Sequence, residues 1–542
     1  MKAGRLLLFS IFSLQTIAGQ AQTPRPRLVV QIVVSQMRYD YLERFGPNFS
    51  DKGIGRLMKE GVAFTDFRYD YMLTTTPTSL ATLTTGAMPS THGVTGEQWV
   101  DFLTGQKVSL IEDKSAQGWE CDAGLGCYSP VGLVVPTLAD RLLEDSPESK
   151  AVTIASSPLS AVVAGGFTKE VYWCDESRGK WISSSYYMPA LPKWVTDYNA
   201  ESPANKYAGT EWELCQPREK YVNDRYSVVR IVSDTRLKKV NSIASIFKKE
   251  IYSKEYPRVY HTPDGNTLVK DFAKKAVVGG DLGLDESVDL LTVCFDASRA
   301  VGQAFGPESM EVEDMLYRLD ADIADLLEFL NTIVGQDRLL VVLTSDHGAS
   351  DSFDKNDREH RDRFNVPQFK VIMNGFMNAQ YGDGDWVQGY HDRQLYLNRD
   401  HIYKKSLNLQ EVQNRVAAFA LQFRGVSHTM TSTALSSSSF AHGYGRLMQN
   451  SYYPRRSGDV VINLMQGWIE ERADVRSLPG SMYDYDRHVP LLVLGAGLGP
   501  QRIRAPVDAT QLAPTLARLM RINRPVAADG DEIDALTDLL NY

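Results

Sequence analysis

Leu339-Leu340-Val341-Val342-Leu343-Thr344-Ser345-Asp346-His347-Gly348-Ala349 is the stretch whose reading decides the fold. Five apolar residues run without alternation and end in Thr-Ser-Asp-His-Gly. A short run rich in Leu and Val, with no period of two, predicts a strand buried on both faces, as in a parallel sheet. In open α/β sheets, ligands bind at the carboxyl ends of such strands. Asp346 and His347 stand at that end and offer one oxygen and one imidazole nitrogen, a donor pair suited to Zn²⁺. Taken alone, the same residues also read as a turn that caps the strand.

Outward from this strand, apolar runs alternate with helical patterns. Strands are predicted over 27–34, 151–155, 288–295 and 489–494. Helices are predicted over 54–60, stopped by Gly61, and over 135–143, 310–330, 409–423 and 511–520. The 310–330 segment carries a strong apolar stripe through Met315, Leu319, Ile323, Leu326, Leu327 and Leu330. Strands alternating with helices predict an α/β fold: a doubly wound, mostly parallel sheet with helices on both faces. Two long stretches break the alternation. One, over about 167–277, is polar and aromatic; the other covers about 369–457. Both are expected to be insertions, lids or caps over the sheet.

Composition bounds the function. The 542 residues exceed a single small core, and 43% hydrophobic with 23% charged is ordinary for a globular chain. A net charge of −9 and the lack of any strongly basic block argue against a nucleic-acid partner. Lys2 and Arg5, then an apolar run to Ile17 and the small residues around Ala21, read as a signal peptide over 1–21, cleaved after Ala21. That apolar run is too short to span a bilayer, and no later transmembrane run is found. A periplasmic or secreted mature chain, 22–542, is expected. Five cysteines leave at least one without an intramolecular partner. Cys294 reads as a buried thiol, while Cys121 with Cys127 and Cys174 with Cys215 are candidate pairs.

Thr76-Pro77 reads as a helix start, with Thr as cap and Pro in the first position. A hydroxyl there is well placed as a nucleophile, because the helix dipole and free N–H groups favour negative charge.

Seven segments together resemble the alkaline phosphatase superfamily, most closely the secreted bacterial phosphatases related to nucleotide pyrophosphatases and phosphodiesterases. They are VVSQMRYDYL (33–42), TGAMPSTHG (85–93), FGPESMEVED (305–314), LTSDHG (343–348), MQN (448–450), RSGDV (456–460) and YDRHVP (485–490). They occur in family order and extend over nearly the whole mature chain.

The resemblance implies two Zn²⁺ ions flanking a Thr or Ser nucleophile, held by six protein ligands. It places the nucleophile at Thr76, with Thr75 as the alternative register. It matches retained metal ligands to Asp346, His347 and His488. The other three ligand positions fall on Ser35, Arg299 and Gln303, and the phosphate-binding positions on Glu97, Ser157 and Leu159. Ser35 and Gln303 are weak ligands, and the Arg299 guanidinium stays charged and cannot accept. Glu97 would repel a phosphoryl dianion. Arg299 is therefore expected to stand in for the missing cation and to pair with Asp346 or Glu97.

These replacements imply a pseudophosphatase with a degraded zinc site and no bound metal, binding an unknown protein or small molecule. The alternative is an active phosphomonoesterase or phosphodiesterase that uses Thr76, with one Zn²⁺ at Asp346/His347 or with Asp296 or Asp40 as substitute ligands.

Overall fold

The computed structural model describes residues 25–538 apart from 123, 209, 211, 225–255, 353–362, 474 and 496. The expected signal peptide lies outside the described residues.

Leu339–Thr344 is a fully buried strand near the middle of a ten-stranded sheet. Leu28–Val34 runs parallel beside it, and Asp289–Phe295, Ala151–Ala155 and Glu170–Asp175 continue the parallel set. On the other side His488–Gly495 is antiparallel to Leu339–Thr344 and leads to Val62–Arg68 and the edge strand Gln501–Ile503. The unalternating apolar runs are what both-face burial demands, since helices cover each face. Ile54–Glu60, Pro263–Gly279 and Met310–Ile333 pack together as one helical layer. Thr76–Thr85, Leu138–Asp145, Pro158–Gly165 and Leu512–Met520 form the other. This is the expected doubly wound, mostly parallel α/β fold.

The expected insertions change their bounds. Glu170–Asp175 and Lys180–Ile182 belong to the main sheet, and Pro263–Gly279 packs on it. Of the first insertion, expected over 167–277, residues 170–175, 180–182 and 263–279 thus belong to the sheet and its helical layer, while 225–255 lie outside the described residues. The second is a unit with its own antiparallel sheet, ordered Val387–His391, Gln394–Leu397, Val460–Leu464, Val426–Thr431. Its core includes Phe369, Met373, Trp386, Val416 and Ile462. It runs past the expected end at 457, because Val460–Leu464 pairs with strands on both sides.

Cys294 is buried, as expected. All five cysteines are free thiols. The candidate pair Cys174 with Cys215 is not formed: Cys174 packs with Val259 and Tyr260, whereas Cys215 sits beside Asp314. The Cys121 and Cys127 sulfurs share a neighbour, the Leu125 carbonyl, at 3.1 and 3.8 Å.

Candidate functional site

The parallel pairing of Val33 with Thr344 carries the carboxyl ends of two central strands to one place. Ser35 and Asp346 meet there, both buried. Ser35 donates its hydroxyl to Asp346 Oδ2 at 2.7 Å. Gln36 adopts a left-handed backbone, φ 65°, and its N–H reaches Asp346 Oδ1 at 3.0 Å. The His347 N–H donates to the same oxygen at 2.8 Å. Three donors thus answer the buried carboxylate, as a buried charge requires. Ser35, in a position where the resemblance implies an Asp ligand, has become a donor to the retained ligand.

His347 has a defined tautomer. Its Nδ1 lies 2.8 Å from the Gly348 carbonyl, which can only accept, so Nδ1 carries the hydrogen. Burial holds His347 below the ordinary imidazole range and keeps it neutral. Nε2 is then an acceptor, and Thr76 Oγ1 lies 3.1 Å from it.

Thr76 is the first residue of the helix Thr76–Thr85, and Thr75, not Thr76, is its N-cap. Pro77 therefore takes the second position, one later than expected. Of the two registers, it is Thr76 that reaches His347; Thr75 is engaged with Thr78 instead.

Arg299 reaches into the site. Its Nη1 donates to Thr76 Oγ1 at 2.9 Å. The expected ion pair with Asp346 or Glu97 is not formed. The acid nearest its charge is Asp296, with Nη2 and Oδ1 3.9 Å apart, one turn back along the helix Ala297–Phe305. Asp346 needs no cation because backbone and hydroxyl donors already satisfy it. Asp296 in turn accepts from Ser160 Oγ at 2.6 Å and from the Ser157 N–H at 3.0 Å. Burial pushes its carboxyl up, and Arg299 opposes that shift. Asp296 is thus a partner of Arg299 rather than a substitute ligand. Ser157 caps the helix Pro158–Gly165, and Leu159 packs against the main core.

A cavity of about 60 Å³ opens against Thr76. Arg299, Gln303 and Glu97 line it, as their sequence positions imply. So do residues that the sequence did not single out, among them Asp392, Arg393, Glu470, Arg472 and Pro479. Asp392 and Arg393 form a two-residue hairpin tip, both with positive φ (46° and 62°), between Val387–His391 and Gln394–Leu397. That geometry normally selects Asn-Gly, so its sequence signal is absent here.

His488 is not at the site. It opens the strand His488–Gly495, its Nε2 lies 3.0 Å from the Thr65 carbonyl, and its ring stacks on Tyr39 at 4.3 Å. The loop before that strand meets the cavity at Leu478, Pro479 and Gly480 instead. A Cβ on Gly480 would stand 3.3 Å from Thr75 Cγ2.

The donor set does not fit a zinc pair. Asp346 and His347 remain, and around them stand a serine hydroxyl, a guanidinium, a glutamine and a proline. Among the described residues no group of three or more His, Cys, Asp or Glu side chains is placed to hold a metal ion. No helix among them is long and apolar enough to cross a membrane.

Residues 29–475 match the family described as type I phosphodiesterase / nucleotide pyrophosphatase. The chain is 30% identical over 514 residues to alkaline phosphatase PafA of Elizabethkingia meningoseptica, covering 94% of each chain. It is 30% identical over 534 residues to alkaline phosphatase PhoV of Synechococcus elongatus, covering 95% of this chain and 93% of that one. The crystal structure of wild-type PafA superposes with a TM-score of 0.86 at 29% identity, over 94% of this chain and 98% of that one. The chain belongs to the type I phosphodiesterase / nucleotide pyrophosphatase family of the alkaline phosphatase superfamily.

Proposed function

We propose that this protein is an exported pseudophosphatase, a family member that binds a ligand in the old catalytic cavity without two-zinc chemistry. The observation that carries the reading is the hydrogen bond from Arg299 Nη1 to Thr76 Oγ1. In two-metal hydrolysis the attacking oxygen is held by a metal ion. Here a fixed cation that cannot bind metal takes that place and repels Zn²⁺. Glu97 beside it disfavours a phosphoryl dianion. Export rests on the amino-terminal pattern of basic, apolar and small residues.

The test is metal content together with hydrolysis of an aryl phosphate and an aryl phosphodiester by the purified chain. The reading expects no bound zinc and no turnover above buffer, with or without added zinc. Stoichiometric zinc with turnover that Thr76→Ala abolishes would overturn it.

One observation favours a second reading, a working phosphoesterase. The Thr76 hydroxyl lies within reach of the neutral His347 Nε2, the arrangement of a nucleophile and its base. Relatives named as alkaline phosphatases agree with it. Turnover at one equivalent of zinc, bound through Asp346 and His347, would establish that reading.

A further inference from the structure

Two acids line the cavity against Thr76: Glu97, which is exposed, and Asp392, which is half-buried. The Glu97 backbone N–H donates to Asp392 Oδ2 at 3.1 Å, and the Glu97 charge acts on the Asp392 carboxyl. Among the described residues, no Lys, Arg or His forms an ion pair with either. A Cβ on Gly96 would stand 2.1 Å from Asp392 Oδ2, so the missing side chain is what admits this carboxyl. Burial, then Glu97, then Glu470 push Asp392 up to about 7, against the Glu97 N–H and the Arg472 guanidinium, which favour its charged form. The third acid, Glu470, is already engaged by Arg393 Nε at 3.2 Å and by the Tyr390 hydroxyl at 3.1 Å.

The same cavity holds cationic groups with donors to spare. Arg299 uses Nη1 on Thr76, and its acid is 3.9 Å away. Arg393 is only 4% exposed, lines the cavity, and leaves Nη1 with no hydrogen-bond partner. A buried guanidinium nitrogen without an acceptor is costly, and a ligand oxygen would relieve it. Glu97 and Asp392 make their side of the cavity acidic, and an organic ammonium would complement it. The cavity, of about 60 Å³, is suited to a small molecule.

We infer that this cavity binds a small zwitterion, an α-amino acid of glycine or alanine size, with its ammonium at Glu97 and Asp392 and its carboxylate at Arg299 and Arg393. The inference rests on the pseudophosphatase reading and names the ligand class of that site. A phosphate monoester, a dianion without an ammonium, would meet Glu97 and Asp392 unfavourably.

Calorimetric titration of the purified full chain with glycine and L-alanine tests it, with methylammonium, acetate and inorganic phosphate as single-charge probes. At least one amino acid is expected to bind at one per chain, with each single-charge probe at least tenfold weaker. Glu97→Gln and Asp392→Asn are each expected to weaken binding at least tenfold, and His488→Ala to leave it unchanged. Circular dichroism establishes which variants are folded, and either acid variant suffices. The inference is overturned if neither amino acid binds at millimolar concentration, if acetate or phosphate binds as tightly, or if a folded acid variant keeps full affinity. Zinc-dependent hydrolysis of an aryl phosphate would overturn the parent reading. Absent hydrolysis with absent amino-acid binding would overturn this inference alone.

Discussion

The Arg299 guanidinium and the Thr76 hydroxyl are joined by a 2.9 Å hydrogen bond. On its other side Thr76 faces the unprotonated Nε2 of His347 at 3.1 Å. Thr76 thus accepts from a permanent cation and donates to a neutral base, which sets a fixed positive charge against the oxygen that a two-metal site would hold with a metal ion.

Restoring the donors should restore the metal. Ser35→Asp, Arg299→Asp, Gln303→His and Pro479→His together remove the cation and rebuild four ligands around Asp346 and His347. Atomic-emission analysis should then find roughly two zinc ions per chain, as a two-metal site requires. The same variant with Pro479 retained should bind less, because Pro479 is one of the three loop residues that line the cavity, with Leu478 and Gly480.

Ser35→Ala removes the hydroxyl that donates to the buried Asp346 Oδ2. A buried carboxylate oxygen that loses a hydrogen bond costs about 2 kcal/mol. Urea denaturation at pH 7 should report that loss of stability with an unchanged m-value.

Asp486 makes stability fall as pH rises. It is fully buried, Oδ2 accepts from Ser481, and Oδ1 has no hydrogen-bond partner. Burial lifts its carboxyl from 3.8 to about 7. Below pH 4 the group is protonated both folded and unfolded, and its full contribution is present. Between pH 4 and 7 the unfolded chain releases the proton while the folded chain keeps it, so stability declines across that window and levels off above it. Asp486→Asn should flatten this part of the curve, measured as the denaturation midpoint from pH 4 to 8.

His488→Ala should act on stability and not on the site. It removes the stack on Tyr39 and the contact with the Thr65 carbonyl. The expected cost is about 1–2 kcal/mol. Zinc uptake by the donor-restored variant should be the same with His488 or with Ala there. A drop in uptake would return His488 to the ligand set.

The sequence by itself determined the central strands of the sheet and its long helix, because a buried strand or an amphipathic helix is written in consecutive residues. The unalternating run 339–344 and the stripe of 310–330 are local patterns, and they became the buried strand Leu339–Thr344 and the helix Met310–Ile333. Asp346, His347 and Thr76 were legible for the same reason, as each sits at the end of such an element. Only the tertiary structure decided which later residues close the site. His488 and Pro479 lie nine positions apart around one strand start. The antiparallel pairing of His488 with Arg68 turns the histidine toward Thr65 and leaves Pro479 at the cavity. The partner of Arg299 was also a tertiary matter, since the donors that satisfy Asp346 come from Ser35, Gln36 and His347, on two strand ends. Asp392 and Arg393 arrive on a hairpin of the second sheet, more than 300 residues from Thr76, and loop closure over that span leaves no local pattern to read.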